Sequence, residues 1–168
     1  MERTAVLSEC GTYRYELTRR WDDGPSVTWI MLNPSRADAT VDDPTIRRCI
    51  GFAKSWGYSA ITVRNLYGLR ATKPAALWCH PDPVGPENDA HLLRCVGDPL
   101  VVCAWGAQGR RGSRVIKTLG ERHAPLHILA FTDGVPPRPR HPLYLKADLT
   151  PIRLRHGWDQ PIATGEVG

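Results

Sequence analysis

Four stretches of this chain gather residue types that can bind or process a small polar ligand. They are Asn33-Pro34-Ser35-Arg36-Ala37-Asp38, Asn65-Leu66-Tyr67, Trp105-Gly106-Ala107-Gln108-Gly109 and His141-Pro142-Leu143-Tyr144-Leu145. An Asn amide offers one acceptor and two donors, enough to read a flat heterocyclic edge. A neutral imidazole can donate a hydrogen bond, and Tyr67 and Trp105 can stack on a planar ring. Each residue also has a plainer reading. Asn33-Pro34 is a turn dipeptide whose side chain can bond the local backbone. Asn65 can satisfy backbone groups at a strand end, Trp105 suits a core better than a ligand, and His141-Pro142 suits a loop.

Two further clusters carry charge. Asp38, Asp42 and Asp43 place three carboxylates within six residues, readable as an acid cluster for a metal or an amine. The plainer reading is a helix cap at Asp43 with solvated neighbours; Asp38 could meet Arg36 or a ligand. The run Gly106–Ser113 is glycine-rich but lacks the Walker spacing and its Lys, which excludes a P-loop triphosphatase. Its backbone, with Arg110 and Arg111, could hold a phosphate; otherwise it is a flexible loop with Ser113 as a helix cap. Five cysteines without a CxxC pair, and no ligand spacing with the six histidines, argue against both a disulfide framework and zinc.

The elements that must position these residues are legible as apolar runs. VTWIML (27–32), AITVRNL (60–66), LVVCAW (100–105) and LHILAF (126–131) resemble strands covered on both faces. Tyr13, Tyr15 and Leu17 alternate with polar residues, as in an edge strand or hairpin arm, and a last short strand is expected near Leu143–Leu145. Asp43-Pro44 opens a helix carrying Ile46, Cys49, Ile50, Ala53 and Trp56, which Gly57 ends. Asn88 or Asp89 caps a second through Val96, with Leu92, Leu93 and Val96 inward. Ser113 caps a third carrying Val115, Ile116 and Leu119. Strands alternating with helices predict a three-layer α/β/α fold with a mostly parallel central sheet. In such a sheet ligands bind beyond the carboxyl ends of the strands, where the four stretches fall.

At 168 residues, 42% hydrophobic and 23% charged, the chain is expected to form one domain over residues 1–160 with a frayed tail over 161–168. The 22 Lys and Arg against 17 Asp and Glu give +5, almost all from Arg, which tilts toward a polyanionic partner or reflects a GC-rich genome. No apolar stretch approaches a membrane span and no secretory signal is visible, so a cytoplasmic location without a membrane partner is expected.

The ordered strings MLNPSRADATVDDPTIRRC, VRNLYGLRATKP, GPENDAHL, AWGAQG and HPLYL resemble domain-of-unknown-function family 1643 over roughly residues 10–155. The same strand ends more distantly resemble the uracil-DNA glycosylase superfamily, an α/β/α fold that flips a base from DNA and cleaves its N-glycosidic bond. Met31-Leu32-Asn33-Pro34-Ser35 is similar to its first motif, Asn65 to its base-reading Asn, Ala104-Trp105-Gly106 to its third strand end, and His141-Pro142 with Leu145 to its last motif. Met31 stands where that superfamily has Gly, and Leu143 where it has a phosphate-contacting Ser.

That resemblance implies a nucleobase-recognising protein and, carried furthest, a DNA glycosylase acting on a damaged or modified base without cofactor or metal. Asn33 would then hold the attacking water, and His141 would stabilise the departing base anion. Asn65, Ser35, Asp38, Tyr67 and Trp105 would line the base site. Leu145 would fill the vacated space, and Arg110 and Arg111 would meet phosphate. Two other readings stand beside it: a non-catalytic nucleic-acid or nucleotide-binding module on the same fold, and an enzyme acting on a free nucleoside or nucleotide.

Overall fold

The computed structural model describes residues 1–35 and 40–155. Each of the four apolar runs contains a strand, though the strands are shorter than the runs: β3 (Ser26–Met31), β4 (Ala60–Asn65), β5 (Leu100–Cys103) and β6 (Leu126–Ile128). They lie parallel in the order β4-β3-β5-β6. Antiparallel strands flank them: β1 (Glu2–Leu7) and β2 (Arg14–Arg20) on one side, β7 (Ile152–Arg153) on the other. The described chain is thus a mixed α/β fold around a seven-stranded sheet that is parallel at its centre.

Strand alternation sends successive side chains to opposite faces, and here both faces are apolar. Val27, Trp29 and Met31 of β3 and Val102 of β5 pack with Ile46, Cys49, Phe52 and Ala53 of α1 (Pro44–Ser55). Ile30, Val101, Cys103 and Trp105 pack on the other face, where α2 (Ala75–Cys79), α3 (Asn88–Leu93) and α4 (Gly112–Glu121) bring Leu77, Leu92, Val115, Ile116 and Leu119. Trp29, Ile30, Leu66 and Leu77 are all fully buried. Each such side chain stabilises the fold by roughly 1.5–3 kcal/mol relative to its exposed state.

Helix α1 starts as its sequence predicts. The Asp43 carboxylate accepts from the Ile46 amide at 2.8 Å, and Pro44 occupies the first turn. Gly57, at φ +80, closes the end by donating to the Lys54 carbonyl. The other two helix starts depart from expectation. Glu87 holds the cap position of α3 with no side-chain cap, and Asn88 instead points inward. Arg111 holds that position in α4, leaving Ser113 inside the helix. After Leu93 the chain tightens into a 3-10 turn over Arg94–Gly97, so Leu92 and Cys95, three apart, share the buried side. Leu93 and Val96, expected inward, are therefore exposed.

Two strands also differ. β1 was invisible as a pattern because it is exposed on both faces and held by backbone pairing with β2. Leu143–Leu145 is a tight turn in which the Leu145 amide donates to the Pro142 carbonyl at 3.3 Å; the last strand is β7. No helix among the described residues is long and apolar enough to cross a membrane.

A charge sits inside the second core. Arg64 on β4, 5% exposed, donates from Nε to Glu16 at 3.0 Å and from Nη1 to Asp98 at 2.7 Å and to Cys95 Sγ at 3.3 Å. Thr28 donates to the same Asp98 oxygen at 2.7 Å. Burial pushes the Cys95 thiol up to about 11, so at neutral pH the Arg64 counter-charges are the two carboxylates.

Candidate functional site

β3 and β4 run level at their carboxyl ends, with Met31 opposite Asn65, and the pairing continues past both strands through Leu66 N–H to Met31 and Tyr67 N–H to Leu32. Asn33 and Asn65 therefore emerge at one rim of the sheet. By strand alternation Asn65 shares its face with Ile61 and Val63, which pack toward α1.

Asn65 is 2% exposed, yet its side-chain amide forms no hydrogen bond with any described residue; only its backbone carbonyl is engaged, by Asn88 Nδ2 at 2.9 Å. The amide atoms open to the surface at this rim, so water or a ligand can meet them. The Asn33 amide is held differently. Its Nδ2 donates to the Pro34 carbonyl at 3.0 Å and to the Ala71 carbonyl at 2.9 Å. The first is the local bracing expected of an Asn-Pro turn, and the second ties the turn to a segment 38 residues further along the chain. They also pin the amide plane and leave Oδ1 as the group it can present.

The start of α1 ties the next residues together. Ser35 Oγ donates to Asp43 Oδ2 at 3.0 Å while Asp43 Oδ1 caps the helix. His141 lies within the field of the same carboxylate. Burial lowers its pKa below the ordinary His value, and Asp43 opposes the shift only in part. The Leu143 amide donates to His141 Nδ1 at 3.2 Å, which assigns the neutral ring's proton to Nε2. Gly106, at φ +75, lies against this ring's base: a Cβ built there would come 3.7 Å from His141 Cβ. Asn33, Ser35, Asn65 and His141 thus occupy one rim, on the α1 side. Asp42 is no solvated neighbour; Arg19 Nε at 2.7 Å and Arg3 Nη1 at 3.1 Å both pair with it. Asp38 lies outside the described residues.

The remaining predicted residues go elsewhere. Trp105, 2% exposed, turns to the opposite face and packs on the start of α4 so closely that a Cβ on Gly112 would fall 2.5 Å from its Cε2. It is core. Tyr67 is buried on the same face, edge-on to Trp78 with ring centres 5.4 Å apart. Burial raises its pKa against the backbone N–H of Arg111 and the charges of Arg111, Arg110 and Arg138, so the phenol is neutral near pH 7. Arg111 is not available to phosphate: Nη1 donates to the Leu66 carbonyl and Nη2 to Asp89, each at 2.7 Å. Arg110 is exposed and lies over the Trp78 ring at 4.0 Å. Leu145 is half-buried and packs against the α1-side core. A cavity of about 1180 Å³ lies away from this rim, between α4 and the β6–β7 edge. Among the described residues no three His, Cys, Asp or Glu side chains gather as metal ligands.

Sequence reasoning missed the link from Ser35 through Asp43 to His141, since it crosses about a hundred residues of chain. It missed the Arg64 network too, although an Arg inside an apolar run signals that partners must exist.

The histidines give a pH expectation. His127, whose Nδ1–H donates to the Pro125 carbonyl at 2.7 Å, is also lowered by burial. Between the ordinary His value and these lowered ones the unfolded chain binds more protons than the folded one, so stability falls as pH drops from about 6.5. Tm measured between pH 7.5 and 5.5 is expected to decline with acid, and less steeply in a His127→Gln/His141→Gln variant. A flat profile in the parent chain overturns the assignment.

No curated protein and no solved structure matches this chain. A family model described as a protein of unknown function, DUF1643, matches residues 14–143, which span the sheet core, the Asn33 and Asn65 strand ends and the His141 loop. The chain belongs to that DUF1643 family.

Proposed function

We propose that this protein recognises a nucleobase at the rim formed by Asn33, Ser35, Asn65 and His141, and hydrolyses the N-glycosidic bond of a damaged or modified base on a uracil-DNA-glycosylase-like fold. The observation that carries the reading is the Asn65 amide, which no described residue hydrogen-bonds and which opens at a strand's carboxyl end from a residue only 2% exposed. Its one acceptor and two donors suit the hydrogen-bonding edge of a base.

The chemistry follows from the neighbours. Cleavage breaks the bond between C1′ and the base nitrogen, passes through an oxocarbenium-like state, and leaves negative charge on the base. The Asn33 oxygen, oriented by the two bonds its Nδ2 makes, would hold the water that adds to C1′. An amide is a poor base, so it positions the water and the proton is lost later to solvent. Neutral His141 would donate from Nε2–H to the base carbonyl where charge gathers. Met31, where the glycosylase superfamily has Gly, is buried in the α1-side core directly beside Asn65. The inward-turned Arg111 favours the second reading, an enzyme on a free nucleoside, because it removes one expected phosphate contact.

The test is incubation with duplex and single-stranded DNA carrying a panel of modified bases, followed by alkaline cleavage of abasic sites. Base release from at least one substrate is the expected result. Binding without release means a recognition module, and turnover of free nucleosides alone means the second reading.

A further inference from the structure

Tyr144 is 94% exposed and sits at φ +70, in the left-handed region that bulky residues avoid. It is the third residue of the turn closed by Leu145 N–H on Pro142, the position of a turn with positive φ where Gly is the ordinary choice. The placement is unfavourable twice, since the backbone is strained and the ring is left in water. Nothing in the fold uses the ring: no ring contact or side-chain hydrogen bond joins it to a described residue, and the next residue, Leu145, supplies the turn's hold on the core. The turn is also the one that positions His141, through Leu143 N–H on Nδ1. On its flanks Arg140 and Lys146 are exposed and form no ion pair among the described residues.

Resting on the nucleobase reading above, we infer that Tyr144 is a stacking platform for an unpaired base of a nucleic-acid strand, and that the substrate is such a strand and not a free nucleoside. A ring standing out in solvent on the turn that holds His141 presents a free face, which suits a base adjoining the one recognised at the rim better than a monomer enclosed within it. Arg140 and Lys146 supply the positive charge that a continuing backbone needs. Stacking requires a free base face, so single strands and locally unpaired sites should bind better than intact duplex.

The experiment uses the full chain with a fluorescein-labelled single-stranded oligonucleotide, the matching duplex and a free nucleoside, and compares Tyr144→Gly and Tyr144→Trp with the parent. Tyr144→Gly is expected to weaken single-strand binding about tenfold, within the range for loss of one stacked base. It should hold Tm or raise it by about 2 °C as the strain is released. Tyr144→Trp should retain binding. Equal affinity of the parent and Tyr144→Gly for the strand overturns the platform while leaving the nucleobase reading intact. A Tm fall of several degrees in Tyr144→Gly shows that the ring holds the fold and also overturns it. If the parent binds the nucleoside but no strand, the strand inference fails alone; if it binds none of the three, both readings fall.

Discussion

Replacing Arg64 by Met is expected to destabilise the protein by about 3–5 kcal/mol, the range for removing one partner of a buried ion pair. The size comes from what is left behind. Arg64 donates to Glu16 and Asp98, and without it both carboxylates remain in a partly buried setting, Asp98 keeping only the Thr28 hydroxyl and Glu16 the more distant His91 and Arg94. Chemical denaturation at pH 7 measures the loss. The control is a triple variant, Arg64→Met with Glu16→Gln and Asp98→Asn, which removes the stranded charge and should recover part of the stability. If Arg64→Met costs under about 1 kcal/mol, the pair behaves as a surface bridge and the packing described around it is wrong.

The second large effect concerns His141. If the proposed hydrolysis holds, His141→Ala should lower single-turnover base release by about 10²–10³-fold, the usual loss for one donor at a developing oxyanion. Substrate affinity should change little, because a donor to charge that appears only on cleavage contributes mainly to the transition state. His141→Gln keeps a donor at a similar reach and should retain more activity than Ala. The pH profile separates the chemistry from a structural role. The Leu143 N–H needs an unprotonated Nδ1, so acid that charges the ring breaks the bond holding the loop, and release should fall on the acid side of the profile. An His141→Ala variant that releases base at the parent rate ends the assignment.

The parallel centre of the fold was legible because strands buried on both faces must be continuously apolar, and Trp29, Ile30, Val101 and Val102 say so directly. Helix α1 was legible from Asp43-Pro44 because a cap is a local interaction. What local pattern could not convey was direction. Asn65 and Trp105 both stand at strand ends, yet one turns toward α1 and the other toward α4, a parity set by where each strand enters the sheet. Nor could it separate Leu145 from Tyr144. Adjacent residues in a turn with positive φ point apart, and only the three-dimensional course of the chain decides which one reaches the core. Of the candidate site, Asn33, Asn65, Ser35 and His141 share a rim, while the aromatic residues and Arg111 hold the scaffold behind it.

The two margins of the sheet bear on how the protein behaves at high concentration. An open strand is a template on which another molecule can continue the sheet, and long flat margins invite fibres. Here β7 pairs through only two residues, too short to seed an addition. β1 is longer, but its ladder with β2 slips between Val6 and Leu7, where Tyr15 of β2 is the extra residue, so the pair departs from a straight ladder. Its first residues, Glu2 and Arg3, set charge along the same margin, and Arg3 is tied back to Asp42. Among the described residues both margins thus disfavour continuation of the sheet from the native state. Loss of material in concentrated stocks is expected to proceed through partial unfolding, and deleting residues 1–7, which bares the seven-residue β2, should raise the tendency of a concentrated solution to gel.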